Sequence, residues 1–210
     1  NFFDYLTPPL NASITNWAID YENASFTDSE IYYFANSFKN SFFQNVLKNN
    51  PQHDKLLLFK KSQKFLDKVL FVLFAEDKGL VATNSIVQIV EKWQNLKNDA
   101  FDTPKPLYEL VALFFNNLFI GKKDQKGGIL IPEFGGEIFA PDEVLDTLLV
   151  DDDVLKDDLL KLSKYDFNTD VDVNILGHIF EHSLNEIEEF INNFRSSTCC
   201  IYSVLDLWER

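Results

Sequence analysis

Along the first half of the chain apolar residues recur at three- and four-residue spacing, broken by short polar stretches, which is the pattern of amphipathic helices. The first clear start is Thr27-Asp28-Ser29-Glu30, where a capping hydroxyl with a carboxylate close behind precedes an apolar run. From there Ile31, Phe34, Ala35, Phe38, Phe42, Val46 and Leu47 fall on one stripe, and Asn49-Asn50-Pro51 ends it. A second helix opens near His53-Asp54 and runs to Lys78. Its centre, Phe65 to Ala75, is apolar almost all round, which predicts a helix wrapped by neighbours on most sides. Gly79 stands where a left-handed cap would close it. The third helix, from Asn84 or Ser85 to Asn98, turns Ile86, Ile89, Val90, Trp93 and Leu96 inward. A fourth spans Leu107 to Phe119, between Pro104-Lys105-Pro106 and Gly121.

Between 121 and 141 the pattern changes. Gly121, Gly127-Gly128, Pro132, Gly135-Gly136 and Pro141 punctuate two short apolar runs, 128–131 and 137–139, which predicts a loop or a small hairpin. Pro141-Asp142-Glu143 reads as a helix N-terminus, with proline in the first turn and acids at the positive dipole end. Helical spacing returns over Val144–Leu149 and Val154–Leu162, and a last helix is expected from about Val173 to Phe194. The first 26 residues, with Pro8-Pro9 and Asn-rich stretches, predict an irregular lead-in with at most a short helix around Ile14–Asp20. The expected fold is all-α, a multi-helix bundle with a small loop or β-hairpin insert at 121–141 and no internal repeat. One mainly helical domain over 1–198 is followed by a tail, 199–210.

Composition narrows the class. In 210 residues, 46% hydrophobic and 25% charged is ordinary globular composition, enough to bury a core without disulfides or metal. The 21 Phe residues predict an aromatic core. The longest apolar run, Val69–Ala75, is seven residues, far short of the roughly 18–20 that span a bilayer, and the start lacks a signal-peptide layout. No membrane partner is expected. The two cysteines, Cys199 and Cys200, are adjacent and make no disulfide framework, so a reducing, cytoplasmic setting is expected. The chain holds no Met and does not begin with one, which reads as a piece of something longer.

The net charge of −14 is unevenly placed. Residues 40–126 carry 13 bases against nine acids, whereas 137–189 carry 16 acids against Lys156, Lys161 and Lys164. An acidic whole argues against a stand-alone binder of phosphate backbones, because each neutralised phosphate needs a base. A local contact through the middle segment stays open, and Lys60, Lys61, Lys64 and Lys68 are the candidate face for a DNA backbone contact. Their plain alternative is to solvate an otherwise apolar helix.

Other constellations are weaker. His178 and His182 lie four apart, but His-Ile-Phe-Glu-His is not the order of a zincin, and surface or packing histidines are the simpler reading. Asp170, Asp172, Asn174 and Glu181 have the spacing of a calcium loop, yet its sixth position is Ile175 where glycine is needed. The run Asp151-Asp152-Asp153 with Asp157-Asp158 reads as a solvated helix start. Asp124-Gln125-Lys126 has an acid-x-lysine order but sits in a Gly-rich loop without a β-core, so no nuclease is read. The paired glycines match no phosphate-binding loop and read as tight turns. No catalytic, cofactor-binding or metal residue is assigned.

Three segments together carry a resemblance. Phe65 to Leu80, ending Glu76-Asp77-Lys78-Gly79-Leu80, resembles the helix ending acid-Asp-basic-Gly-Leu in the connector of single-chain restriction–modification enzymes, types IIG, IIS and IIL. Phe134-Gly135-Gly136-Glu137-Ile138-Phe139 is similar to their Asn-Gly-Gly-Leu-Phe turn, which an acidic helix follows. Leu162 to Phe167 with Asp172 to Glu181 looks like their Tyr-Asp-Phe and Leu-Gly-x-Ile-Tyr-Glu signature. Order and spacing agree over about residues 55–190, and related amino-methyltransferases of phage-defence systems carry a similar segment. The resemblance implies a helical spacer between a nuclease domain, when present, and an adenine-N6 DNA methyltransferase. S-adenosylmethionine and Mg²⁺ are then implied for the parent, with DNA and its own catalytic domains as partners. This chain has no Asn-Pro-Pro motif and no Gly-rich cofactor loop, so the segment implies an enzyme without containing its active site. Where the family continues with a basic stretch and Phe-Tyr-Thr-Pro, the chain reads Arg195-Ser196-Ser197-Thr198-Cys199-Cys200-Ile201-Tyr202. A stand-alone all-α protein–protein interaction domain, its acidic 142–189 surface meeting a basic partner, is the alternative.

Overall fold

The computed structural model describes residues 26–99, 103–134 and 136–167. The expected helices around 14–20 and 173–194 and the tail lie outside these residues. The described part is mainly helical, in the order α1 (Phe26–Asn49), α2 (Lys55–Asp77), α3 (Ser85–Lys97), α4 (Leu107–Ile120), β1 (Lys122–Lys123), β2 (Ile129–Ile131), a 3₁₀ turn (Leu145–Thr147) and α5 (Asp152–Leu162). None of these helices is long and apolar enough to cross a membrane.

The apolar stripe of α1 becomes one wall of the core: Ile31, Ala35, Phe38, Phe42 and Val46 are all buried. α2 begins where Asp54, in extended conformation, accepts from the Leu57 N–H at 3.1 Å. It ends as its glycine predicts. Gly79 has φ +68°, its N–H bonds the Glu76 carbonyl, and the Leu80 N–H reaches back to Ala75 at 2.8 Å. That 6→1 and 5→2 pairing is the Schellman arrangement, in which a left-handed residue satisfies the last carbonyls of a helix.

As its apolar centre predicts, α2 is enclosed. Phe65 is 1% exposed, stacked on Phe42 of α1 with ring centroids 4.4 Å apart, and it meets Tyr108 and Phe115 of α4 at 5.4 and 5.9 Å. Farther along, Phe71 meets Phe134 and Phe139 of the Gly-rich turn edge-on at 5.7 and 5.4 Å. The abundance of Phe is therefore a connected aromatic core running from α1 through α2 to α4 and the turn. α5 closes the bundle, packing on α1, α3 and α4 and burying Leu155, Leu159 and Leu162.

One local expectation is met and another is shortened. As expected, the 121–141 insert contains a small two-stranded antiparallel hairpin, Lys122–Lys123 with Ile129–Ile131. The helical spacing of Val144–Leu149 yields a 3₁₀ turn of three residues. The chain cannot continue as a helix there because Leu148 turns extended, and Leu149 then gives both backbone groups to Asn50. The Asn50 Nδ2 donates to the Leu149 carbonyl at 2.9 Å and its Oδ1 accepts the Leu149 N–H at 2.9 Å, a side-chain copy of a strand pair.

Candidate functional site

The four candidate lysines sit on α2 at positions 60, 61, 64 and 68, and the structure divides them. Lys60 is exposed. Lys61 and Lys64 turn onto Asp142, Lys61 Nζ donating to both carboxylate oxygens at 2.7 and 2.6 Å and Lys64 Nζ to one at 3.1 Å. Lys68 is 1% exposed, its ammonium 5.4 Å from the centre of the Phe115 ring. Burial pulls its pKa down, against the opposing pull of Asp146 and Asp142. The four therefore do not form one free basic face. Residues 61, 64 and 68 share a helix stripe, and the 142–146 segment folds over that stripe and neutralises it.

The Glu76-Asp77 pair at the end of α2 is also spent inside the protein. The Ile86 N–H, at the first turn of α3, donates to Glu76 Oε1 at 3.2 Å, so a carboxylate from the preceding helix caps α3. The cap is needed because Asn84, at the N-cap position, is left-handed and its side chain caps nothing. Asp77 Oδ2 accepts the Phe167 N–H at 2.7 Å. Glu76 is 6% exposed, and burial pushes its carboxyl up to about 7 although the Ile86 N–H favours the ionised form. Burial likewise raises Asp67 to about 6, opposed by the Gln63 amide and Lys39.

These shifts set a pH dependence. A carboxyl whose folded pKa is raised contributes stability that is complete below its unfolded value and is lost as pH rises through the folded one. The Glu76 contribution is thus lost between about pH 4.5 and 7. Unfolding at pH 5 and pH 8 is expected to show the protein on the order of 2 kcal/mol weaker at pH 8 from this residue. Glu76→Gln, which keeps an oxygen for Ile86, should flatten that slope; a variant with an unchanged pH profile would refute the assignment.

The acidic run is more than a solvated helix start. Asp151 takes a bond from Asn45 Nδ2 at 2.7 Å and one from Asn49 Nδ2 at 3.0 Å, and its own N–H donates to Asn45 Oδ1 at 3.0 Å. Asp152 Oδ1 accepts the Leu107 N–H at 2.7 Å, capping α4 from α5. Asp153 and Asp157 are exposed or nearly so, as expected. An open depression lies beside this junction, lined by Asn49, Tyr108, Asp146, Leu149 and Asp151 among others.

The Gly-rich loop holds no acid-lysine centre. Asp124 Oδ1 accepts the N–H groups of Lys126 and Gly128 at 2.8 and 2.7 Å, which folds the hairpin turn around the carboxylate. Gly127 has φ +85°, and a Cβ on Gly128 would stand 2.8 Å from Asp124 Oδ2, so both glycines are there for the turn. Among the described residues no group of three or more His, Cys, Asp or Glu is placed to hold a metal ion. His178, His182 and the stretch from Asp170 to Glu181 lie outside the described residues.

What the structure does bring together is the three segments that carry the family resemblance, so far as they are described. Asp77 of the first holds Phe167 of the third. Phe71 of the first is covered by Phe134 and Phe139 of the second. Segments about 60 to 90 residues apart in sequence thus meet around the C-terminal half of α2, and their characteristic side chains serve packing and capping. No protein-family model, curated protein or solved structure matches this chain.

Proposed function

We propose that this chain is a helical connector of a restriction–modification or DNA adenine methyltransferase polypeptide, a spacer that holds catalytic domains at a fixed separation. The observation that carries the reading is the convergence just described. Asp77, Phe71, Phe134, Phe139 and Phe167 belong to segments resembling that family's connector, and they make the contacts that fix the bundle. A signature made of caps and ring contacts fits a part whose task is geometry. A packed bundle keeps its ends at a set distance, whereas a flexible linker of the same length lets them fluctuate. S-adenosylmethionine and Mg²⁺ then belong to neighbouring domains of the parent, and DNA is the partner of the whole.

Sequencing the genomic locus on both sides tests this directly. An in-frame Asn-Pro-Pro-Tyr methyltransferase downstream is the expected result, and an upstream acid-and-lysine motif would add restriction. A stop right after Arg210 with no methyltransferase following would leave an independent helical domain and overturn the proposal. In a parent that cleaves, replacing this segment by a Gly/Ser linker should leave methylation intact and broaden the position of the cut.

A further inference from the structure

The hairpin between α4 and the Gly-rich turn has a surface unlike the rest of the described chain. Lys122, Lys123 and Lys126 are all exposed, and the one acid in the turn, Asp124, has its carboxylate folded onto the backbone N–H groups of Lys126 and Gly128. On the second strand Ile129 is 71% and Leu130 55% exposed, large values for aliphatic side chains. The register pairs Lys122 with Ile131 and Lys123 with Ile129, so Leu130 is an extra residue, a bulge that bends and twists the ribbon. Ile131 at its base packs against the core, while every residue from Lys122 to Leu130 is exposed. Its exposed part is a short, twisted, basic ribbon with apolar side chains beside its turn.

We infer that this hairpin is a nucleic-acid contact, a two-stranded ribbon whose lysines bind the phosphates of duplex DNA and whose Ile129 and Leu130 lie against sugar or base edges. The charge complementarity is direct, since Lys61, Lys64 and Lys68 of the helix face are paired or buried whereas these three lysines point to solvent. The shape favours a groove over a flat anionic surface. Successive residues of a strand face opposite sides, so Lys122 and Lys123 reach outward on both faces of the ribbon, where a groove presents phosphates on two walls. A bilayer would engage only one of them. A two-stranded ribbon is also narrow enough to enter the major groove. The choice of DNA as the polyanion rests on the connector reading.

Fluorescence anisotropy with the 210-residue chain and a labelled duplex of about 20 base pairs, at about 20 mM salt, tests it. Saturable binding is expected, with the Lys122→Glu/Lys123→Glu/Lys126→Glu variant at least about tenfold weaker. If all three lysines contact phosphates, the logarithmic salt slope should fall in magnitude by up to about 2.7. Ile129→Ser/Leu130→Ser should weaken binding with the salt slope unchanged, and Lys60→Glu should leave binding as it was. All six positions are exposed, so thermal unfolding should confirm intact folding of each variant. No duplex binding by the wild-type chain, binding unaffected by the triple substitution, or preference for phosphatidylserine vesicles over duplex would each overturn the inference. A locus without a methyltransferase would remove the connector reading and leave these binding results to be judged alone; failure here would leave the locus test untouched.

Discussion

Replacing Phe65 with alanine is expected to cost about 3–5 kcal/mol, the range for emptying a fully buried aromatic site. The size follows from what the ring touches. Phe65 stacks on Phe42 at 4.4 Å with the planes 3° apart, and Phe38, Tyr108 and Phe115 close in at 6.2, 5.4 and 5.9 Å. These neighbours come from α1 and α4, which are themselves fixed by hydrogen bonds to α5, so the cavity has little freedom to collapse. A domain of this kind has about 5–15 kcal/mol in all, so the substitution removes a large part of it. Urea unfolding followed by far-UV circular dichroism measures the loss, with Phe71→Ala, a half-buried position under the Gly-rich turn, expected to cost less. A Phe65→Ala cost under about 1.5 kcal/mol would mean that the α1–α2–α4 aromatic cluster is not the centre of the core.

The parts of this fold that could be read in sequence are those with a local cause. The α1 stripe, the all-round apolar centre of α2, Gly79 as the left-handed cap and the glycine-punctuated hairpin each follow from residues within a few positions of one another. The polar contacts that join the elements have no such cause. Asn50 reads only as a helix stop, yet it clasps Leu149, 99 positions away. Asp151 and Asp152 read as dipole-complementing acids at a helix start, and they spend their carboxylates on α1 and on the start of α4. Helical spacing correctly groups Lys61, Lys64 and Lys68, but spacing on one helix cannot say what folds over it. The hairpin lysines lie in a stretch without periodicity, and the signal the sequence holds for them is three lysines in five residues beside an aliphatic run.

Asp142 shows how such a distant contact sets both stability and its pH dependence. Burial alone would raise its carboxyl, but the Leu145 N–H at 3.0 Å and the two lysines outweigh that and hold it well below the ordinary carboxylate range. A carboxyl with a depressed folded pKa contributes stability that is present above its unfolded value, near 4, and lost as pH falls through the folded one. This is opposite in sign to Glu76 and Asp67, so the stability these three groups contribute is expected to peak near pH 4, where one loss gives way to the other. Asp142→Asn keeps an oxygen for the Leu145 N–H and removes the charge, leaving Lys61 and Lys64 side by side with buried Lys68 beyond them. The Asp142 side chain is 9% exposed and that of Lys61 19%, so the pair is partly desolvated, and the expected cost at pH 7 is about 2–3 kcal/mol. The double variant Lys61→Met/Asp142→Asn should recover part of that loss, because the unpaired charge goes with its partner. A single-variant cost below about 0.5 kcal/mol, or no coupling in the double-mutant cycle, would show that the 142–146 segment is held to α2 by packing and by the Tyr108 hydroxyl bond to Leu145 instead.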